Sequence, residues 1–263
     1  MNYGGGFALI KRTWSSWLQA RGFFWVLAFG WMIPPLIYLF VWSTAAGEKS
    51  ILGLDRSGFI AYYLLIIVIN QMTYCTTNWT VGDVIRYGSL NTWLLRPLPP
   101  IFEALASEIA GKVVFMAFVI PVTGFLAIFL KPQLEPSLME GLIFIPALAF
   151  AWILRFLWGY WLALLAFWTT RADSLLVIQD SLVFLLSGIV APFSLLPPGL
   201  AEFSRWLPFR YMVSFPVEIL TSQIGTKEIV TGICVQLFWL LASIFLCWYI
   251  WREGLKKYSA VGG

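Results

Sequence analysis

The chain of 263 residues is 60% hydrophobic and only 11% charged, with a formal net charge of +4. A soluble domain carries roughly 25% charged residues, so a chain this apolar could not cover its own surface in water. Lipid-facing side chains need no polar cover, and the sequence lacks histidine, which excludes imidazole as a catalytic base or metal ligand. We therefore expect a single all-α integral membrane domain over residues 1–263.

Residues 6–21 have apolar side chains at helical spacing on one face, with Lys11 and Arg12 on the other. This pattern is typical of a helix that lies in the membrane interface with its cationic side toward lipid headgroups. A plain cytoplasmic extension of the first membrane span is the alternative.

Six apolar stretches are candidates for membrane spans, since a spanning helix needs about 20 predominantly apolar residues. They cover about 23–44, 58–80, 113–130, 139–168, 175–193 and 229–251. With both termini in the cytoplasm, ten of the 17 Lys and Arg residues fall on the inner side and six on the outer side, and Arg155 lies inside a span. The positive-inside rule therefore favours cytoplasmic termini.

The cytoplasmic segment 83–98, between the second and third spans, carries apolar residues outside the membrane. Gly88 and Ser89 interrupt the helix that leaves the membrane, Ser89 or Asn91 can cap a new short helix, and Pro97 ends it. An exposed apolar patch of this kind is typical of a docking site, although folding of the segment against its own bundle is an equally open alternative. The apolar residues are Trp93, Leu94, Leu95 and Leu98.

The segment 196–222, between the fifth and sixth spans, is rich in proline and still strongly apolar. It is too interrupted to span the membrane, and non-helical backbone at membrane depth persists only against protein or a water-filled cavity. The sequence predicts a short re-entrant hairpin of helices on the outer side. A surface amphipathic helix is the alternative.

Arg155 is the one ionisable residue near the middle of a predicted span. Such charges are costly and usually face the bundle interior or a water-filled cavity. Asp180, in the first turns of the next span, is its candidate partner, although counting residues along both spans places the two at different depths. The two residues form a candidate intramembrane polar site, either as a clamp between spans or as a substrate contact.

Nucleotide hydrolysis by this chain is excluded, because its one Gly-Lys pair, at Gly111 and Lys112, lacks the rest of a P-loop. We expect no cofactor and no metal in this chain.

Two other classes of membrane protein remain as alternatives. A lipid-modifying enzyme would need clustered catalytic groups, and the candidate pairs, Asp83 with Arg86 and Glu103 with Glu108, have ordinary helix-surface spacing. A secondary transporter would need inverted repeats, which the two halves do not show.

The run GSLNTWLLRPL from Gly88 to Leu98 resembles the cytoplasmic segment of permease subunits of ABC exporters of the second (ABC-2) type. It is most similar to their six-span subfamily, once described as a domain of unknown function. Further similar stretches follow in the same order along most of the chain. They are Arg155 with Phe156, 165–170, 186–188 with Pro192, Leu196 with Pro197, 207–210, and Phe215 with Pro216.

The resemblance implies a membrane subunit that pairs with a second permease, identical or homologous, and is driven by a separate ATPase dimer that holds ATP and Mg. It implies export across the cytoplasmic (inner) membrane of a prokaryote. The aromatic-rich, weakly charged composition suits a hydrophobic or amphipathic substrate, although it suits plain packing equally, and we expect membrane lipids and no nucleic acid as partners. Segment 83–98 would be the coupling helix that contacts the ATPase. Its apolar contact would come from Trp93, Leu94 and Leu95, and its polar rim from Asp83, Arg86, Arg96 and Glu103.

Overall fold

The computed structural model describes residues 10–15, 19, 21–47, 50, 51 and 53–258. Residues 10–15 and 19 are helical, and the remainder of the predicted interfacial helix before residue 21 lies outside the described part. The subsequent helices are α1 (Arg21–Ala46), α2 (Arg56–Thr73), α3 (Thr77–Arg86), α4 (Leu90–Leu94), α5 (Pro100–Leu130), α6 (Leu138–Leu164), α7 (Ala172–Leu186), α8 (Pro198–Arg205), α9 (Pro208–Met212), α10 (Ser214–Leu220) and α11 (Thr226–Lys257).

Local sequence sets several of these helix starts. Asp55 caps α2 by accepting a 2.7 Å hydrogen bond from the Gly58 amide. Ser137 and Glu140 form a capping box at the start of α6. Prolines occupy the first turns of α5, α8 and α9, where the missing N–H costs nothing.

Five helical stretches in the described residues are long and apolar enough to cross a membrane. They are Gly22–Ala46, Arg56–Arg86, Pro100–Leu130, Leu138–Phe167 and Thr226–Lys257. The predicted fifth span differs, because α7 has only 15 residues and measures about 22 Å at the usual helical rise. Gly188, with φ +84, takes the left-handed conformation that ends the helix. The count of six spans therefore stays a prediction.

Two other predicted spans also have different bounds. The second is not one continuous helix, because residues 74–76 separate α2 from α3. The third was expected to begin near residue 113, yet α5 already begins at Pro100. Glu103, Glu108 and Lys112 form ion pairs within the protein, so the helix also includes the more polar residues before position 113.

Long-range hydrogen bonds show which connections between helices lie at the same end of the bundle. At the first, called the α4 end, Arg86 donates to the Thr170 carbonyl at 3.0 Å, and the Tyr258 hydroxyl donates to the Gly88 carbonyl at 2.9 Å. At the opposite end, called the α8 end, the Gln133 amide donates to Ser57 Oγ at 2.8 Å. The long helices run between these two ends.

The predicted re-entrant segment folds as three short helices, α8, α9 and α10. Every residue of α9 is buried, and α10 is buried except for Leu220, whereas α8 exposes most of its surface. Arg210 and Glu218 form a buried ion pair that joins α9 to α10, and the Arg210 guanidinium lies 4.1 Å from the Phe193 ring centre. The segment thus fills the interior at the α8 end, and its insertion into a membrane stays a prediction.

Candidate functional site: a docking helix and a polar cluster at a broken span

The segment 83–98 directs apolar residues both inward and outward. Leu90 is buried, and Trp93 is half-buried against the hydrophobic core. Leu94 is 41% exposed and Leu95 is 88% exposed on the same short helix and its end. One face of α4 therefore packs on its own bundle, and the other leaves Leu94 and Leu95 exposed. Docking of a partner on this exposed face stays a prediction.

The backbone of this segment is fixed by contacts with its own chain. Gly88 takes φ +75, which allows the tight turn between α3 and α4, and its carbonyl accepts the bond from Tyr258. Ser89 occupies the N-cap position, but its hydroxyl donates to the Val84 carbonyl at 3.2 Å and makes no cap bond. The short helix is therefore held in place before any partner binds.

The predicted polar rim is largely engaged within the chain. Arg86 pairs with Asp83 and lies 3.4 Å from Asp173, which ties the end of α3 to the start of α7. Arg96 pairs with Glu103, whose side chain is only 10% exposed. These side chains position the segment, and its exposed large apolar side chains are Tyr87, Leu94 and Leu95.

The break between α2 and α3 is stabilised by two charged residues of α5. Glu108 Oε1 accepts hydrogen bonds from the Thr77 amide at 2.6 Å and from the Thr77 hydroxyl at 2.7 Å, at the start of α3. Lys112 donates to the carbonyls of Gln71 and Tyr74 at the end of α2, and lies 3.5 Å from Glu108. An anion at a helix start and a cation at a helix end both oppose the helix dipoles, so the pair compensates both broken ends.

Arg155 lies beside this break, not in a direct pair with Asp180. Its Nη1 donates to Asn70 Oδ1 at 2.8 Å and to Thr73 Oγ1 at 3.1 Å, and its guanidinium lies 5.1 Å from the Tyr74 ring centre. The Tyr74 hydroxyl donates to Asp180 Oδ2 at 3.3 Å. The structure thus brings both predicted residues to Tyr74, Arg155 at its ring and Asp180 at its hydroxyl.

Arg155 and Asp180 lie at similar depths, contrary to the expectation from the sequence. Arg155 lies about 13 Å along α6 from Leu164, and Asp180 lies about 12 Å along α7 from Ala172. The sequence estimate took the fourth span to continue toward Arg171, whereas α6 ends at Leu164. Both residues line a cavity of about 150 Å³ between α1, α2, α6 and α7.

Residues 30–262 match the family described as ABC-2 family transporter protein. The chain belongs to the ABC-2 transporter family. No curated protein matches it closely enough to add a function. Membership confirms the resemblance inferred from the sequence and makes the chain a multi-pass, permease-type component of a transporter.

Within this ABC-2 family member, the carboxylates that a membrane enzyme would need have structural partners. Glu108 is buried, with one oxygen accepting from Thr77, and Glu103 is paired with Arg96. Among the described residues, no group of three or more His, Cys, Asp or Glu side chains is placed to hold a metal ion.

The sequence does not predict the contacts that Tyr74, Glu108 and Lys112 make at the helix break. Their contacts join residues more than 30 positions apart, so no local pattern reveals them. One signal was present, because Glu108 and Lys112 are opposite charges one helical turn apart in a strongly apolar neighbourhood.

Proposed function

We propose that this chain is the membrane-spanning permease of an ATP-driven exporter of hydrophobic or amphipathic molecules. A separate ATPase dimer supplies the energy by binding ATP and Mg, and a second permease, identical or homologous, completes the pathway. The setting is the cytoplasmic membrane of a prokaryote, with both termini inside. Family membership supports the transport role, and the distribution of basic residues supports the orientation.

The observation that carries the proposal is the outward face of α4. Leu94 and Leu95 are exposed on a short helix that is attached to the surface of the bundle by Leu90, Trp93 and the hydrogen bond from Tyr258 to Gly88. Exposed leucines on a rigid support are suited to insertion into a partner's groove. A motor subunit absent from this chain is the partner that the family relationship favours.

Motion at α4 has a direct structural connection to the polar cluster. α3 is a ten-residue helix whose far end carries the turn into α4 and whose near end starts at the Glu108 cap. Residues 74–76 have no regular helical bonding, so α3 can reorient there without disrupting α2. Displacement of α4 by the ATPase would thus reach Tyr74, and with it the contacts of Arg155 and Asp180.

A sixth crossing is completed by α7 together with residues 187–193. α7 begins beside Arg86 at the α4 end through Asp173. Beyond its C-terminus, the Val190 carbonyl accepts bonds from Trp42 at 2.9 Å and from Tyr63 at 3.0 Å, near the opposite end of α1 and the start of α2. A short helix followed by irregular backbone that is buried against protein can cross a bilayer.

Substitution of Leu94 by aspartate tests the docking role. We expect ATPase binding to weaken by about tenfold or more, because burying a leucine contributes about 1.5–3 kcal/mol. The measurement is the affinity of the purified permease for its cognate ATPase, together with ATP-dependent transport in vesicles.

The matched control is Leu138→Asp, at the other end of the bundle, where the leucine is 83% exposed at the first position of α6. This variant should bind the ATPase normally. Equal binding by Leu94→Asp and the wild type, with unchanged transport, would reject the proposal.

A further inference from the structure

Arg155 makes no direct ion pair with a carboxylate among the described residues. The residue is 3% exposed, and among the described residues no Asp or Glu oxygen lies within 4 Å of its guanidinium. Its hydrogen bonds go to the neutral side chains of Asn70 and Thr73 through a single terminal nitrogen. A buried cation without a directly bound counter-ion is costly, and this one lines a cavity, so it is suited to receive an anionic group.

The other side of the same cavity is suited to a cation. Asp180 lines it, and within the described part of the chain its carboxylate accepts one hydrogen bond, from Tyr74. Pro34 and Pro35 have no N–H, so the carbonyls of Gly30 and Trp31 cannot receive their α-helical hydrogen bonds. The Trp31 ring also lines the cavity, packed against Tyr74 with ring centres 4.4 Å apart, and adds aromatic surface that favours an ammonium group.

We infer that this cavity binds the zwitterionic head group of an amphipathic molecule, with its anionic group at Arg155 and its ammonium group at Asp180. The inference rests on the proposed transport function and names the substrate class for it. The two protein charges are opposite and line one cavity, with Arg155 at the Tyr74 ring and Asp180 at the Tyr74 hydroxyl, so a ligand that bears both charges matches the cavity better than a simple anion or cation.

The size of the cavity fits a head group and not a whole amphipathic molecule. Its volume of about 150 Å³ equals about five water molecules at roughly 30 Å³ each. The apolar side chains Val183 and Phe184 of α7 also line it. The tail of the ligand therefore extends past α7 toward the lipid, as expected for a molecule taken from the bilayer.

The test uses three probes with the same dodecyl chain: dodecylphosphocholine, dodecyl phosphate and dodecyltrimethylammonium. Binding to the purified full-length permease is measured by the rise in unfolding temperature with probe concentration, because a ligand that binds only the folded state stabilises it. The wild type should bind the zwitterion about tenfold more tightly than either singly charged probe. The phosphate accepts charge-assisted hydrogen bonds from Arg155, and the trimethylammonium group, which has no N–H, is attracted by the Asp180 carboxylate and by the Trp31 ring.

Two variants should shift this preference in opposite directions. Arg155→Gln should favour the cationic probe, and Asp180→Asn should favour dodecyl phosphate. Arg205→Gln, an exposed arginine at the α8 end, is the control that should retain the wild-type order. Each variant is an independent test, so failure of one to fold leaves the other decisive. Equal affinity for all three probes, or an unchanged order in the folded variants, would overturn the inference.

Nanodiscs identify the source of the ligand. If the ligand is a bilayer lipid, dodecylphosphocholine should no longer raise the unfolding temperature in discs that contain phosphatidylethanolamine, because this lipid already fills the cavity. In phosphatidylglycerol discs the rise in unfolding temperature should persist. Preservation in both kinds of disc would assign the cavity to a cargo other than phosphatidylethanolamine. Neither measurement requires the ATPase, so a failure of the docking proposal at Leu94 would be detected separately.

Discussion

Glu108 and Lys112 stabilise a helix break that the backbone alone could not maintain in an apolar environment. A broken helix leaves amide donors at one end and carbonyl acceptors at the other, and unsatisfied groups in lipid cost several kcal/mol each. The carboxylate accepts from Thr77, and the ammonium donates to the carbonyl of Tyr74. Because the two charges also neutralise each other, neither requires a partner from another subunit.

Substitution of Glu108 by alanine should destabilise the permease by about 3 kcal/mol, as expected for breaking a buried pair. The loss of stability has two causes. The Thr77 amide at the start of α3 loses its acceptor, and the Lys112 ammonium loses its counter-ion. Glu108→Gln should cost less, because its side-chain oxygen still accepts from Thr77. Adding Lys112→Met to Glu108→Gln should cost less than the sum of the two single changes.

Unfolding in detergent provides the measurement for these variants. Glu253→Ala is the control, because this glutamate forms an exposed ion pair with Lys256 and should contribute about 0–1 kcal/mol. If Glu108→Ala were no more destabilising than Glu253→Ala, the assignment of Glu108 to the break would be wrong.

The helix α11 approaches its neighbours closely at two glycines. A methyl group built at Gly232 would overlap the buried ring of Phe215 in α10, and one at Gly254 would overlap the ring of Phe167. Small residues allow membrane helices to pack closely where the hydrophobic effect does not drive association. α11 thereby holds the segment 196–222 at one end and the turn after α6 at the other.

Gly232→Ala should destabilise the fold by about 1–3 kcal/mol, because the buried Phe215 ring has no free space to enter. Gly124→Ala is the matched control in α5, where an added methyl group meets nothing within 4 Å. This control should be neutral or slightly stabilising, since alanine favours the helix by about 1 kcal/mol over glycine. Thermal unfolding of both variants side by side would measure the difference, and equal midpoints would contradict the packing argument.

The sequence predicts the architecture of the whole molecule better than the site within it. The long helices can be recognised from the sequence because a long apolar run is a local pattern that does not depend on contacts with distant residues. The break at residues 74–76 was missed because its caps come from α5, and Pro or Gly does not mark it. The meeting of Arg155 and Asp180 at Tyr74 depends on where α6 ends, and helix ends are the least predictable part of a sequence pattern.

The number of crossings depends on whether α7 and residues 187–193 traverse the membrane, and accessible cysteines on both sides of this element can decide it. Thr170 precedes α7, Gly199 lies beyond it, and both are exposed. In a chain with Cys75, Cys234 and Cys247 replaced, we expect Thr170→Cys to react with an impermeant maleimide only in inside-out vesicles. Gly199→Cys should react only in intact cells, because an odd number of crossings places the two residues on opposite sides.

Glu135→Cys and Asn91→Cys serve as reference positions for the two sides, since both are exposed and lie at opposite ends of α5. Gly199→Cys should follow Glu135→Cys, and Thr170→Cys should follow Asn91→Cys. If Thr170→Cys and Gly199→Cys reacted from the same side, α7 would be a re-entrant element and the sixth crossing would be wrong. Lys256→Cys, exposed near the end of α11, should follow Asn91→Cys, because Tyr258 contacts Gly88 beside α4. Reaction of Lys256→Cys together with Glu135→Cys would contradict an even number of crossings.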